Sequence, residues 1–473
     1  MICGMLNAHR FLNKIGVVNM SETEKGWARA AGRSIYDVLS TDAVPAPPPL
    51  LASAYDFLGD ADLDAQRYTD PGFAAKEMTK MWAKTWQWAC REEHIPEAGD
   101  RYVYDIGPYS VIISRDEAGA LHAFRNSCTH RGTRLIGSEG TGFGSGITCP
   151  FHGWSWHCDG TLEQIPAKWD FPHVQPQTHD LRPVACAVWG GFIFINLDTA
   201  AAPLSDQLEV MTEHFEHFPL DTRRIKVHVQ KRLPANWKAA QEAFLEAYHN
   251  VETHHSPNGA NTQYDIFGRF VTRFIHNTGT YSPESLNDYP GTEWRDPVLT
   301  EAEILARTVG ITRELEAGET ARAVAAEDGR SRLASALGES QADLSDSQIL
   351  DSIEYHLFPN MFFFPGINIP MVYRFRPDGD QVDTCLFDLL ILEPWPAGQA
   401  KPFPPEPVFL DVNQSYTDVP ELGWLGRVYD EDTGNLALQQ QGLKSAGKGL
   451  TLGNYQEARI RRIHQTLDEF LRA

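Results

Sequence analysis

Four residues in two short groups constrain this chain more than anything else in it. They are Cys128-Thr-His130 and, after eighteen intervening residues, Cys149-Pro-Phe-His152. Two thiolates and two imidazoles make a tetradentate donor set for a metal centre. They converge only if two loops are held face to face on a small rigid scaffold. The flanking text supplies one. Between Trp86 and Asn196, short β-branched or aromatic runs (Tyr102-Val103-Tyr104, Val111-Ile112-Ile113, Phe192-Ile193-Phe194-Ile195) alternate with turn signals such as Gly107-Pro108 and Asp116-Glu117-Ala118-Gly119. This predicts a compact all-β domain that carries both loops.

The donor set has two readings. A structural zinc ion accepts two cysteines and two histidines, but zinc sites usually separate paired ligands by two to four residues. One residue between Cys128 and His130 is tight for a single tetrahedral ion. The spacing suits two loops that each give a thiolate to one iron and an imidazole to the other, which is a Rieske [2Fe–2S] cluster. Arg131-Gly132 and Gly153-Trp154 allow backbone N–H groups to approach the sulfides. The remaining thiols, Cys3, Cys90, Cys158, Cys186 and Cys385, are expected to be buried small apolar groups.

At 473 residues the chain needs two or more cores, and 42% hydrophobic residues suffice to fill them. Forty-one basic against 63 acidic side chains give −22, which argues against nucleic acid or anionic lipid as the main partner. No apolar run has transmembrane length, and Met1 to Val18 has no signal-peptide core. A reduced, soluble, cytoplasmic protein is expected, with residues 1–19 read as an extension upstream of a start at Met20. Residues 1–85 read as an N-terminal extension and helical segment, with Pro45-Ala46-Pro47-Pro48-Pro49 as a surface connector. Residues 86–200 form the β domain and 201–473 a larger mixed domain, so the fold class is α+β. In the latter, Trp237 to His249 reads as a helix, 300–354 as several helices, and Glu354 to Arg376 and Cys385 to Leu392 as strands. From Asn454 an amphipathic helix carries the stripe Ile460, Ile463, Leu467 and Leu471.

A second constellation is Glu246-Ala-Tyr-His249, followed by Asn250-Val-Glu-Thr-His254. Histidines five apart do not share a face of a straight helix, so the helix must unwind near Asn250 or bulge before both reach one ion. Glu246, three residues before His249, can accept from the imidazole N–H that faces away from a metal.

With both constellations the chain resembles the α (large) subunits of Rieske non-haem iron ring-hydroxylating oxygenases. The resemblance implies an all-β Rieske domain beside a catalytic domain with an antiparallel sheet and helices, of helix-grip type. It implies a mononuclear Fe(II) held by His249, His254 and a downstream carboxylate. The stretch Val428 to Gly442 matches that pattern with Asp432 in the ligand position and Asp430 and Glu431 as rivals. It implies that Glu246 bridges to His152 of a neighbouring chain in a homotrimer, with or without a small β subunit, although many members have Asp there. Glu242 is assigned to the local field and His255 to packing or the pocket. Electrons are expected from NAD(P)H through a separate flavin reductase or ferredoxin, since the chain has no Gly-x-Gly-x-x-Gly fingerprint. Arg131 and Arg134 are the candidate docking charges. Thr133 and Phe151 stand where electron-transport Rieske proteins have a cysteine pair, so that disulfide is not expected here.

The expected activity is hydroxylation of a hydrophobic, aromatic substrate with O2. The alternative is a monooxygenase or demethylase for a bulky or polar non-aromatic compound. The phenylalanines at 358 and 362–364, with Ile266-Phe267, fit either a pocket lining or plain sheet core.

Overall fold

The computed structural model describes residues 33–254, 262–281 and 299–473. Residues 1–32, and with them Cys3 and the expected upstream extension, lie outside the described residues, as does His255.

The β domain consists of three small antiparallel sheets. One pairs Phe192–Asn196 with Gln87–Arg91 on one side and Ala185–Trp189 on the other. Phe192–Asn196 is buried on both faces, which is why it reads as an unbroken apolar run and not as an alternation. The second is the meander of Asp100–Ile106, Tyr109–Arg115 and Leu121–Arg125, with Gly140–Phe143 on its edge. The third is formed by Ile147–Thr148, Ser155–Trp156 and Leu162–Gln164.

The larger domain is built on one eight-stranded sheet. Its order is Gln263–Ile266, Val271–His276, Ser352–Leu357, Met361–Phe363, Met371–Asp378, Gln381–Pro394, Arg223–Leu233 and Val408–Leu410. All pairs are antiparallel except the last. Both faces are covered, and the strand period of two divides the side chains between them. Phe362, Tyr373 and Leu389 pack on one face with Trp237, Phe244 and the stripe Ile460, Ile463 and Leu467 of helix Ala458–Arg472. Their neighbours Phe363, Val372 and Leu390 pack on the other with Phe215, Trp86 and Trp88. The expected helices between 300 and 354 are Glu301–Val309, Ala321–Leu337 and Asp346–Leu350. No helix among the described residues is long and apolar enough to cross a membrane.

Three expectations need correction. The proline-rich joint is not a surface connector: Pro48–Leu51 forms one helical turn with proline at its start, where no N–H is needed, and Leu50 packs beside Trp86 and Trp88. The C-terminal helix begins at Ala458, because Asn454 and Glu457 are engaged outside it, the first through its carbonyl to Tyr55 Oη (2.8 Å) and the second through Oε2 to the Gly453 amide (2.5 Å). Cys90 and Cys385 are buried, but Cys158 and Cys186 are only half-buried.

The two domains are joined by a buried charge cluster. Asp388 accepts from Arg374 Nε and Arg376 Nε, each at 2.8 Å. The far ends of both guanidiniums reach the β domain, Arg374 at Ala89 O (3.1 Å) and Arg376 at Asp105 O (2.7 Å) and Glu139 (2.8 Å). Asp388→Ala would leave two desolvated guanidiniums without their carboxylate and is expected to lower stability by about 3–5 kcal/mol, read as a shifted urea midpoint. A change below about 1 kcal/mol would show that the cluster does not hold the domains together.

Candidate functional site

The two cysteine loops close on themselves in the same way. Cys128 N donates to Thr133 O (2.8 Å) and Gly132 N to Cys128 O (2.9 Å). In the second loop Cys149 N donates to Trp154 O (2.8 Å) and Gly153 N to Cys149 O (3.0 Å). Gly132 (φ 77°) and Gly153 (φ 73°) close each turn in the left-handed region, which glycine adopts without steric cost. The turn aims the intervening amides back at sulfur: His130 and Arg131 donate to Cys128 Sγ, and Phe151 and His152 to Cys149 Sγ. Burial raises both thiols, but at Cys149 these amides outweigh it and the thiol is held below its ordinary range.

The sulfurs lie within hydrogen-bonding reach of each other, and the His130 and His152 rings stand 4.9 Å apart. Sulfur is therefore paired with sulfur and nitrogen with nitrogen. That arrangement fits a centre with one iron on thiolates and the other on imidazoles. Thr133, whose only expected meaning was the missing cysteine, donates its hydroxyl to Cys149 Sγ. Trp154 stacks on His130, while His152 is exposed. Of the candidate docking charges, Arg134 is engaged by Asp105 at 2.9 Å and Arg131 lies over the Phe151 ring.

The second constellation forms where a helix is cut. Trp237–Glu242 starts on the Asn236 side chain, which accepts from Lys238 N, and ends well before His249. The break comes earlier than the spacing predicts, and side chains cause it. Phe244 and Leu245 donate to carbonyls three residues back. Ala247 N donates to Tyr264 Oη (2.9 Å), and His249 N donates to Glu246 Oε2 (3.0 Å). With those amides withdrawn from the helical ladder, the chain turns and restarts as Asn250–Thr253, with His249 capping it. The two imidazoles then face each other at 5.3 Å.

Asp432, on helix Trp424–Gly434, closes the triad. Its Oδ1 lies 2.7 Å from His254 Nε2 and 3.3 Å from His249 Nε2. One ligand atom from each of the three residues falls within 4.8 Å of the others, a spacing suited to one ion. Each Nδ1 is held by another carboxylate, His249 by Glu246 Oε1 and His254 by Glu431 Oε2, both at 2.8 Å. The rivals of Asp432 are thus engaged elsewhere. Glu431 orients His254 and is itself held by Arg427 (2.9 Å). Asp430 accepts from Ser415 Oγ and from Tyr416 N (3.0 Å).

Burial alone would favour neutral His249, but Asp432 and Glu246 raise it to about 10, and the imidazoles hold Asp432 below the ordinary carboxylate range despite burial. The site is rich in carboxylate and demands a cation.

Two cavities open from the triad. One, of about 190 Å³, is walled by Phe274, Phe364, Tyr373, Trp424 and Tyr429, with Glu354 among them. Phe364 therefore lines the cavity, whereas Phe362 and Phe363 are sheet core. The other, of about 630 Å³, is lined by Glu246, His249, Asp432, Glu242 and Glu457. Glu242 accepts from Tyr68 Oη (3.0 Å) and His464 Nε2 (2.8 Å). Arg67 Nε, which can only donate, approaches His464 Nδ1 at 3.0 Å, so the ring proton sits on Nε2 and points at Glu242.

Comparison with known proteins agrees with this layout. Residues 85–175 match the Rieske [2Fe-2S] domain, and residues 213–473 match the catalytic domain of the ring hydroxylating alpha subunit. Among curated relatives, the chloroplastic choline monooxygenase of Beta vulgaris is 30% identical over 42% of this chain and 46% of its own. The glycine betaine monooxygenase oxygenase subunit of Chromohalobacter salexigens is 29% identical over 49% and 53%. The anthranilate 1,2-dioxygenase large subunit of Acinetobacter baylyi is 32% identical over 40% and 41%. The chain thus spans about half the length of the curated relatives it matches.

The fold is shared with the quaternary ammonium Rieske monooxygenase CntA bound to L-carnitine (TM-score 0.60, 18% identity, 86% of this chain and 95% of that one). It is equally shared with naphthalene 1,2-dioxygenase bound to indole (TM-score 0.61, 18% identity, 88% and 93%). A β domain with two matched Cys/His loops and a sheet domain with two histidines and a carboxylate at one point identify the chain as a member of the Rieske oxygenase α-subunit family.

Proposed function

We propose that the chain is a terminal oxygenase that monooxygenates a small substrate bearing a quaternary ammonium group. In this reading Cys128, His130, Cys149 and His152 hold the [2Fe–2S] cluster, and His249, His254 and Asp432 hold the mononuclear Fe(II). The observation that carries it is the 190 Å³ cavity at the triad, where the carboxylate of Glu354 stands among aromatic walls whose ring faces suit a cation that cannot donate hydrogen bonds. Relatives named for choline, glycine betaine and carnitine support it. The expectation of an aromatic substrate gives way to the alternative. What still favours it is the anthranilate dioxygenase relative and the same ring-lined walls.

When bound, the cluster supplies single electrons and the mononuclear iron binds and activates O2. The protein's own contribution is orientation. Glu246 and Glu431 fix both imidazoles with Nε2 toward the third ligand. The ring walls line one side of the triad with apolar surface. Electrons enter from a ferredoxin or flavin reductase that uses NAD(P)H. They cross between chains of a homotrimer by way of Glu246 and the exposed His152 of a neighbour, and the protein works in the cytoplasm.

Four outcomes test this. Asp432→Ala, His249→Ala and His254→Ala each lose mononuclear iron and keep the cluster spectrum. Glu431→Gln weakens iron binding by about 10–100-fold, the usual cost of losing an outer partner, whereas Asp430→Asn leaves it unchanged. Iron lost from Asp430→Asn and retained by Asp432→Ala would move the third ligand. Glu246→Gln keeps both metals but leaves the reduced cluster slow to reoxidise with substrate and O2. Rapid reoxidation coupled to product would contradict the Glu246 route.

The third outcome concerns pH. His249, raised to about 10, carries a proton in the metal-free protein throughout the neutral range, and an entering cation must displace it. Because, against burial, Asp432 and Glu431 raise His254 as well, titration calorimetry of metal uptake near pH 7.5, in buffers of different ionisation enthalpy, should show at least about one proton released per ion. Affinity should fall about tenfold per pH unit on acidification. Uptake without proton release would show that His249 is already neutral.

The fourth is a product assay with a surrogate reductase on trimethylammonium compounds and on neutral aromatic compounds. Oxidation confined to the aromatic group would replace the proposed substrate.

A further inference from the structure

We infer that the ring-lined cavity selects substrates of net positive charge, an ammonium with a neutral hydrogen-bonding tail over one with a carboxylate tail, and that Glu354 sets this selection. The inference rests on the proposed function, in which this cavity holds the substrate.

Glu354 stands on strand Ser352–Leu357, directly opposite Phe274 in the ladder, and lines the cavity. It is one of the most deeply buried carboxylates of the chain, 1% exposed. Its Oε2 accepts from Tyr373 Oη at 2.8 Å and its Oε1 from Arg459 Nη2 at 2.6 Å. Arg459 approaches from helix Ala458–Arg472, and its other nitrogens donate to Leu245 O (2.9 Å) and Thr272 Oγ1 (3.0 Å). The guanidinium is not part of the cavity wall. Burial pushes Glu354 up to about 7 against the pull of Arg459 and Tyr373, so above neutral pH the cavity meets the negative end of this ion pair first, framed by the rings of Phe274, Phe364 and Tyr373, whose faces also favour a cation.

Two residues along the same strands, and so on the same face, His276 pairs with Ser352, and both line the cavity. Burial pushes His276 down to about 4, so it stands there as a neutral donor and acceptor, in contact with Thr262 Oγ1 at 3.1 Å. Among the described residues lining the cavity there is no lysine or arginine. A carboxylate tail at the far end from the triad would thus meet Glu354 with no lysine or arginine to compensate its desolvation. A hydroxyl tail finds His276 and Ser352, while the ammonium head is drawn to Glu354 and the rings.

The test uses the iron-loaded, cluster-replete enzyme with three compounds of similar size: choline, glycine betaine, and 3,3-dimethyl-1-butanol, the uncharged isostere of choline. Product formation should give choline a kcat/KM advantage of about tenfold or more over both others. In Glu354→Gln that advantage should fall to about threefold or less, with iron content kept. Glu354→Gln leaves Arg459 without its carboxylate and can fail to fold. Tyr373→Phe, assayed above neutral pH, is therefore the second variant: it removes a donor from Glu354 but not the carboxylate, so the preference for choline should persist.

A wild-type preference for glycine betaine overturns the inference. So does an undiminished choline preference in folded Glu354→Gln, or its loss in Tyr373→Phe. Oxidation of neutral aromatic compounds with none of the three turned over overturns the proposed function, and this inference with it.

Discussion

The catalytic side of this molecule depends on a helix that stops. Histidines five residues apart diverge on a continuous helix, and here two side-chain hydrogen bonds end that helix early. Tyr264 takes the amide of Ala247 and Glu246 takes the amide of His249. The same Glu246 then reaches the His249 ring, so one carboxylate both turns the backbone and orients the imidazole. Glu431 does the second task for His254 from a helix far along the chain. Asp432, the next residue on that helix, arrives between the two Nε2 atoms because Glu431 is already fixed.

The second dependence is between domains. A cluster loop and an iron triad are useful together only if their relative position is fixed, and the buried Asp388 with its two arginines is a tie across that boundary. Such clusters add little net stability compared with apolar packing, yet they tolerate no missing partner. They also demand particular geometry, which suits a joint whose task is alignment. His152 is exposed, and an acidic cavity opens beside Glu246.

The cluster loops were readable in the sequence because their whole geometry is local: donors, closing glycines and amides lie within five residues of each cysteine. The histidines were readable from their spacing, and the long apolar strands from their composition. The early helix break was not, because it depends on the Tyr264 hydroxyl, which no local pattern reveals. Glu431 looked like a rival ligand, since a sequence shows an acidic turn but not which carboxylate faces the ion. Thr133 and Glu354 gave no signal of their own, as each acts on a group brought to it by the fold. The proline run misled because an apolar neighbour, Leu50, decides whether such a joint lies on the surface. Substrate class was the least legible feature, because ring-lined walls suit an aromatic molecule and an organic cation alike.

Counting iron and acid-labile sulfide in anaerobically purified protein tests the central claim most directly. The account predicts about three irons and about two sulfides per chain, with the third iron removable by a mild chelator while the cluster spectrum remains. Zinc in place of the cluster, or two irons with nothing held by His249, His254 and Asp432, would contradict it.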